Sequence, residues 1–251
     1  MNLSTNPKPK PFKNPPIIEA IIAVTIKALP ESALNALIEL SPRLAELGYT
    51  LKAPMTSHEF QVAIENGISR ASNRDEATGY QFISADGGFA FQVLRTGLIF
   101  SQLGHYQSWE FFTAEAKKIW NIYVSVIAEV SILRYGVRYL NKIFTPLGEP
   151  SEDYFRIHIA VATDLPQMIF EPYLRLAFML SNPSGKLLHQ QGLLPPEREG
   201  FVTTLLDNDF SFPANELAPD DLWTAIDSIR ETKDHFFFNM LTDKMKESFD
   251  A

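Results

Sequence analysis

Apolar and polar positions along the chain fall into two similar series. Ile17 to Ile26 is an apolar run rich in β-branched residues and predicts a buried strand. Pro30 then opens a predicted helix to Leu47, with Leu34, Leu37, Ile38 and Leu44 on one face, a kink or turn at Pro42 and Gly48 as C-cap. His58 to Ile64, Tyr80 to Ala85, Phe89 to Leu94 and Leu98 to Leu103 read as short strands. The turns between the later ones are Asp86-Gly87-Gly88 and Thr96-Gly97. Residues 66–78 are polar and predict a loop. Ser108 caps a helix to about Ala128, in which Trp109, Phe112, Ala116, Ile119, Trp120 and Tyr123 recur at helical spacing.

The second series starts with a strand from Val130 to Phe144. A short helix over Ser151 to His158 follows, then strands over Phe170 to Leu180, Lys186 to Gly192 and Phe201 to Asp207. Pro219, Asp220 and Asp221 open the final helix, where Leu222, Ile226, Ile229, Lys233, Phe236 and Met240 run along one side. A break is expected near Thr242, with a last turn to Phe249. The expected fold class is therefore α+β. Two pseudo-repeated halves, 16–128 and 129–251, would pack as one unit and form a curved antiparallel sheet with helices on one face. The order resembles the TATA-binding-protein-like arrangement of two such halves. A closed barrel of the helix-grip or triphosphate-tunnel kind has a similar strand count. Shared topology carries no function by itself.

Composition narrows the partners. The chain has 251 residues, 45% hydrophobic and 21% charged, which suits an ordinary globular protein. Its net charge of −8 argues against nonspecific nucleic-acid binding, which is driven by phosphate neutralisation. There is no cysteine, so disulfides, thiol catalysis and cysteine metal sites are excluded. Residues 1–15 form a Pro-rich arm made basic by Lys8, Lys10 and Lys13. It reads as a solvated tail or as a partner-binding arm. Without a secretory signal or a long apolar run, a cytoplasmic protein with no membrane partner is expected.

The strongest local signal is the segment Arg134-Tyr135-Gly136-Val137-Arg138-Tyr139-Leu140-Asn141-Lys142. Alternation in a strand puts Arg134, Gly136, Arg138 and Lys142 on one face, with Tyr135, Val137, Tyr139 and Asn141 on the other. Two guanidiniums beside a glycine could clamp a carboxylate or phosphate. The competing reading pairs them with acids on neighbouring strands. Glu19, which interrupts the apolar run of the first strand, is the expected partner of Arg134 or Arg138 across the seam of the two halves. Asp207-Asn208-Asp209 reads as an Asx turn ending a strand, and alternatively as oxygen ligands for a cation. His235 reads as a packed or capping histidine, and no histidine pair has metal-site spacing. Neither a metal nor a cofactor is expected.

Three segments together resemble an uncharacterised, sporadically distributed bacterial family of similar length. They are Asn14 to Ala20 (NPPIIEA), Arg134 to Ile143 (RYGVRYLNKI) and His235 to Thr242 (HFFFNMLT). The resemblance covers essentially the whole chain and implies a single unit. It singles out Glu19, Arg134, Arg138, Asn141 and His235, and it implies no activity. The favoured function is a non-enzymatic binding or interaction protein recognising a partner protein, a peptide or a small anionic ligand, with a homodimer compatible. The alternatives are an enzyme with an arginine clamp on a phosphorylated or nucleotide substrate, and a nucleic-acid binder.

Overall fold

The computed structural model describes residues 12–65, 68–127, 129–162, 164–165, 171–214 and 217–250, with the backbone alone over 57–65 and 68–75. Its strands are β1 (Ile17–Ile26), β2 (Tyr49–Glu65), β3 (Ile68–Ser84), β4 (Phe89–Leu94), β5 (Gly97–Leu103), β6 (Ile132–Pro146), β7 (Tyr173–Ser181), β8 (Ser184–Leu193) and β9 (Phe201–Pro213). Its helices are α1 (Ala33–Ile38), α2 (Ser41–Glu46), α3 (Trp109–Val124), α4 (Leu222–Met240) and α5 (Asp243–Ser248). The strands make one open antiparallel sheet in the order β2-β3-β4-β5-β1-β6-β9-β8-β7. No helix among the described residues is long and apolar enough to cross a membrane.

Strand alternation decides which side of this sheet is covered. Ala20, Ile22, Val24 and Ile26 of β1 are buried, as are Tyr135, Val137 and Tyr139 of β6. They share one core with Phe112, Ala116 and Ile119 of α3 and with Leu222, Ile226 and Ile229 of α4. The six apolar positions expected at helical spacing in α3 are its buried face, and the Ser108 side chain caps it by accepting from Phe111 N–H. A second cluster joins Ile143 and Leu206 to Phe155, Leu241 and Met245. The other face of the sheet carries Glu19, Ile21, Arg134, Arg138, Leu140, Asp207 and Asp209, as cross-strand register requires.

Several expected elements differ. The helix expected from Pro30 to Leu47 is two short ones, because Pro42 enters the first turn of α2 and interrupts the ladder. Of the polar stretch read as a loop, residues 68–78 belong to β3, paired along β2 in a long hairpin. Backbone pairing there does not need a buried face. The helix expected over Ser151 to His158 is one 3₁₀ turn, Ser151–Asp153. Phe170 lies outside the described residues, and β7 starts at Tyr173. β9 continues to Pro213, so Asp207-Asn208-Asp209 lies mid-strand and is not a terminal Asx turn. The described end of the arm is docked: Phe12 packs on Phe238 and Phe249, and Lys13 Nζ donates to the Asp250 carbonyl at 2.8 Å.

Gly136 illustrates why β6 reads as it does. A Cβ built there would stand 2.2 Å from the Phe210 carbonyl oxygen of β9. The glycine between the two arginines therefore accommodates a neighbouring backbone, not an approaching ligand. Gly136→Ala should destabilise the protein by about 2 kcal/mol through overpacking. A urea unfolding midpoint unchanged from wild type would contradict this close approach.

Candidate functional site

The expected site residues separate onto the two faces of the sheet. On the uncovered face, Arg138 holds Asp207 through two parallel bonds, Nε to Oδ1 at 2.7 Å and Nη2 to Oδ2 at 2.5 Å. Gln190 Nε2 donates to the same carboxylate at 2.9 Å. Asp207 is 7% exposed and Arg138 42%, so the arginine lies over the acid as a lid. Hydrogen bonding to Asp207 raises the pKa of Arg138, with smaller contributions from Asp209 and Glu19. Glu19 thus acts on Arg138 through its field, while the direct ion pair expected of it belongs to Asp207, two strands away. Arg134 reaches Ser211 Oγ at 3.4 Å. Asp209, opposite Arg138, is pushed above the usual carboxylate range by burial, despite both arginines. Lys142 pairs with Glu197 at 2.8 Å.

Asp207 takes the Nε and Nη2 side of the Arg138 guanidinium, the pairing with a neighbouring acid that competes with an anion clamp. Among the described residues, acids interleave with the cations on this face, Asp207 and Asp209 standing beside Arg138. The oxygen ligands proposed for Asp207-Asn208-Asp209 are also split: Asn208 points to the helices, away from both aspartates. Among the described residues, no group of three His, Asp or Glu side chains is placed to hold a metal ion.

On the covered face, Asn141 is 1% exposed and lies at the inner end of a cleft between β6, β9 and α4. The outer part, about 290 Å³, is walled by Phe12, Tyr106, Trp109, Phe237 and Phe238. The inner part, about 50 Å³, is lined by Tyr139, Asn141, Asn208 and Phe210. Ile17, Lys233, Asp234 and Phe237 line both, so the two are adjacent.

Lys233 is the chemical centre of this cleft. Its Nζ donates to Asp234 Oδ1 at 2.6 Å and sits 4.8 Å over the Tyr139 ring and 5.0 Å over Trp109. Ring faces attract an ammonium through their quadrupole. Burial still pushes the lysine pKa down from its usual range, with Asp234 opposing. The Tyr106 and Tyr139 hydroxyls meet at 3.2 Å, and burial pushes Tyr106 up to about 12.

Deeper in, the amide donors are underused. Asn141 Nδ2 has one long bond, 3.5 Å to the Tyr139 carbonyl. Neutral His189, whose pKa burial lowers, donates from Nδ1 to Asn208 Oδ1 at 2.7 Å. That contact turns the Asn208 amino group away from His189, toward Met240 Sδ at 3.8 Å. His235 lies outside this group: it is exposed on α4, and Asn239 donates to its carbonyl at 2.7 Å.

Sequence reasoning placed Asn141 on the correct face but missed Lys233, Asn208 and Tyr106. The usable signal was Lys233 itself, a cation at helical spacing within an otherwise apolar row. The segments beginning at Asn14, Arg134 and His235 all contribute to the cleft, through Ile17, through Tyr139 and Asn141, and through Phe237. Neither family models, nor curated proteins, nor solved structures yielded a match to this chain.

Two stability outcomes follow from the uncovered face. Arg138→Ala should cost about 2 kcal/mol, because it strands a nearly buried carboxylate, and Asp207→Ala should cost less, because it frees an arginine that water already reaches. Equal losses in urea denaturation would contradict the lid arrangement. Asp209 has a raised folded-state pKa, so the folded state holds its proton to higher pH than the unfolded chain. Stability therefore falls as pH rises through that window. Asp209→Asn should stabilise the protein at pH 7, with the gain vanishing below about pH 4 in thermal melts.

Proposed function

We propose that the chain is a non-catalytic binding protein for a small aromatic carboxylate, taken into the helix-side cleft. The observation that carries this reading is that Asn141, Asn208 and Lys233 line one small chamber beside a cleft walled by aromatic rings. Each of these donors has capacity left, and a carboxylate accepts from several donors at once. About 50 Å³ accommodates such a head group, since one water occupies about 30 Å³ of liquid. The apolar ring would lie among Tyr106, Trp109 and Phe237. Burial lowers the Lys233 pKa, while Asp234 and the ring faces favour its ammonium form, the form that recognises a carboxylate.

We also read the chain as two pseudo-repeated halves in the TATA-binding-protein-like manner. The sheet order supports this, running from the β1–β6 seam through β5, β4, β3 and β2 on one side and β9, β8 and β7 on the other, with one extra strand in the first series. Each half carries a long helix after its strands, α3 or α4, and the short α5 follows α4. The cleft draws Ile17, Tyr106 and Trp109 from the first half and Tyr139, Asn141, Asn208 and Lys233 from the second.

Benzoate is the probe. It should bind with a Kd below about 1 mM by calorimetry and perturb tryptophan fluorescence through Trp109. Asn141→Leu and Lys233→Met should each weaken binding at least about 10-fold, the value of a hydrogen bond to a charged group. Lys233→Met should leave the unfolding temperature at pH 7 equal or higher, because burial of that charge opposes folding. Benzyl alcohol binding as tightly as benzoate, or benzoate binding unchanged in both variants, would defeat the carboxylate reading.

A further inference from the structure

β7 forms one end of the sheet and is hydrogen-bonded to β8 along its whole length, from Tyr173↔Gly192 to Ser181↔Ser184. Among the described residues, no backbone group bonds to its outer edge. Its nine residues, Tyr-Leu-Arg-Leu-Ala-Phe-Met-Leu-Ser, contain one charge, Arg175, no proline and no register shift. Met179 is 84% exposed and Tyr173 61%. Edge strands are normally protected by charges, prolines, bulges or a covering element, because unpaired donors and acceptors are a template for another strand. Among the described residues, β7 has none of these beyond Arg175.

We propose that β7 pairs antiparallel with β7 of a second copy of this chain, about a twofold axis at Ala177, so that the two sheets become continuous. The strand complements itself in that register. Arg175 lies opposite Met179 of the second copy, and Tyr173 lies opposite Ser181. On the helix side Leu176 meets Phe178 and Leu174 meets Leu180. No like charges face each other. The parallel in-register pairing would instead set Arg175 against Arg175, which is unfavourable. The helix-side row also borders an apolar groove of about 530 Å³, lined by Phe178, Leu180, Phe236 and Met240. A second sheet continuing past β7 would extend the wall of this groove, and the isologous contact would close after two copies.

Sedimentation equilibrium on the full chain tests the register by charge. Wild type should be dimeric at micromolar concentrations. Met179→Lys places a lysine opposite Arg175 twice and should weaken the dimer about 10-fold, while Met179→Glu should preserve or tighten it. The double variant Arg175→Glu with Met179→Lys should restore wild-type association. Both sites are exposed, and unchanged circular dichroism separates loss of pairing from loss of fold. A monomeric wild type, or a dimer that responds alike to Met179→Lys and Met179→Glu, overturns the proposal. A monomer whose β7 is blocked only in complex with a different protein also overturns it and assigns the edge to a foreign strand.

Discussion

The register between β1 and β6 is the constraint on which the rest of the structure depends. Ile21 stands opposite Arg138 and Ile22 opposite Val137, which puts the apolar rows of both strands on the helix side. A slip of one residue would turn Tyr135, Val137 and Tyr139 out to water and drive Arg138 among the helices. The flanking strands inherit this register. β9 presents Asp207 and Asp209 to the arginine side and Asn208 to the helix side only because β6 is already fixed.

From that register come two polar groups of opposite character. The pair on the uncovered face is complete: a bidentate arginine, a nearly buried carboxylate and a glutamine that adds a third bond. The group beneath the sheet is unfinished. Lys233 is stabilised by one carboxylate and two ring faces, while the amino groups of the neighbouring amides have only long contacts. A completed network fixes a fold, whereas donors with capacity left beside a cavity hold an interaction in reserve.

Much of this was legible in the sequence, for physical reasons. β1, β4, β5, β6, α3 and α4 each bury one face, so their apolar period is visible. β3 between residues 68 and 78 was not legible, since its strand character comes from backbone pairing with β2 and its sequence shows no alternating apolar stripe. The alternation within 134–142 correctly separated the arginines from Asn141, yet it could not name Asp207 as the partner. That residue arrives from β9, and register across strands distant in sequence leaves no local trace. Lys233 stood in plain view within an apolar row, but a lone lysine on a helix face usually extends to solvent along its aliphatic stem.

The central position of β1 also sets the order of assembly. β1 lies between β5 and β6, and its two partners are made at very different times. During synthesis the first half can close β1 against β5 while the opposite edge of β1 stays bare until Ile132 to Pro146 emerge. Burial of Ile22 and Val24 beside Val137 and Tyr135 therefore waits on a contact of high sequence separation, which is slow to form. In the nascent chain the most apolar strand of the protein is thus an unsatisfied edge for longer than any other part of the sheet core, and the ribosome-bound intermediate is where this fold is most open to wrong pairing.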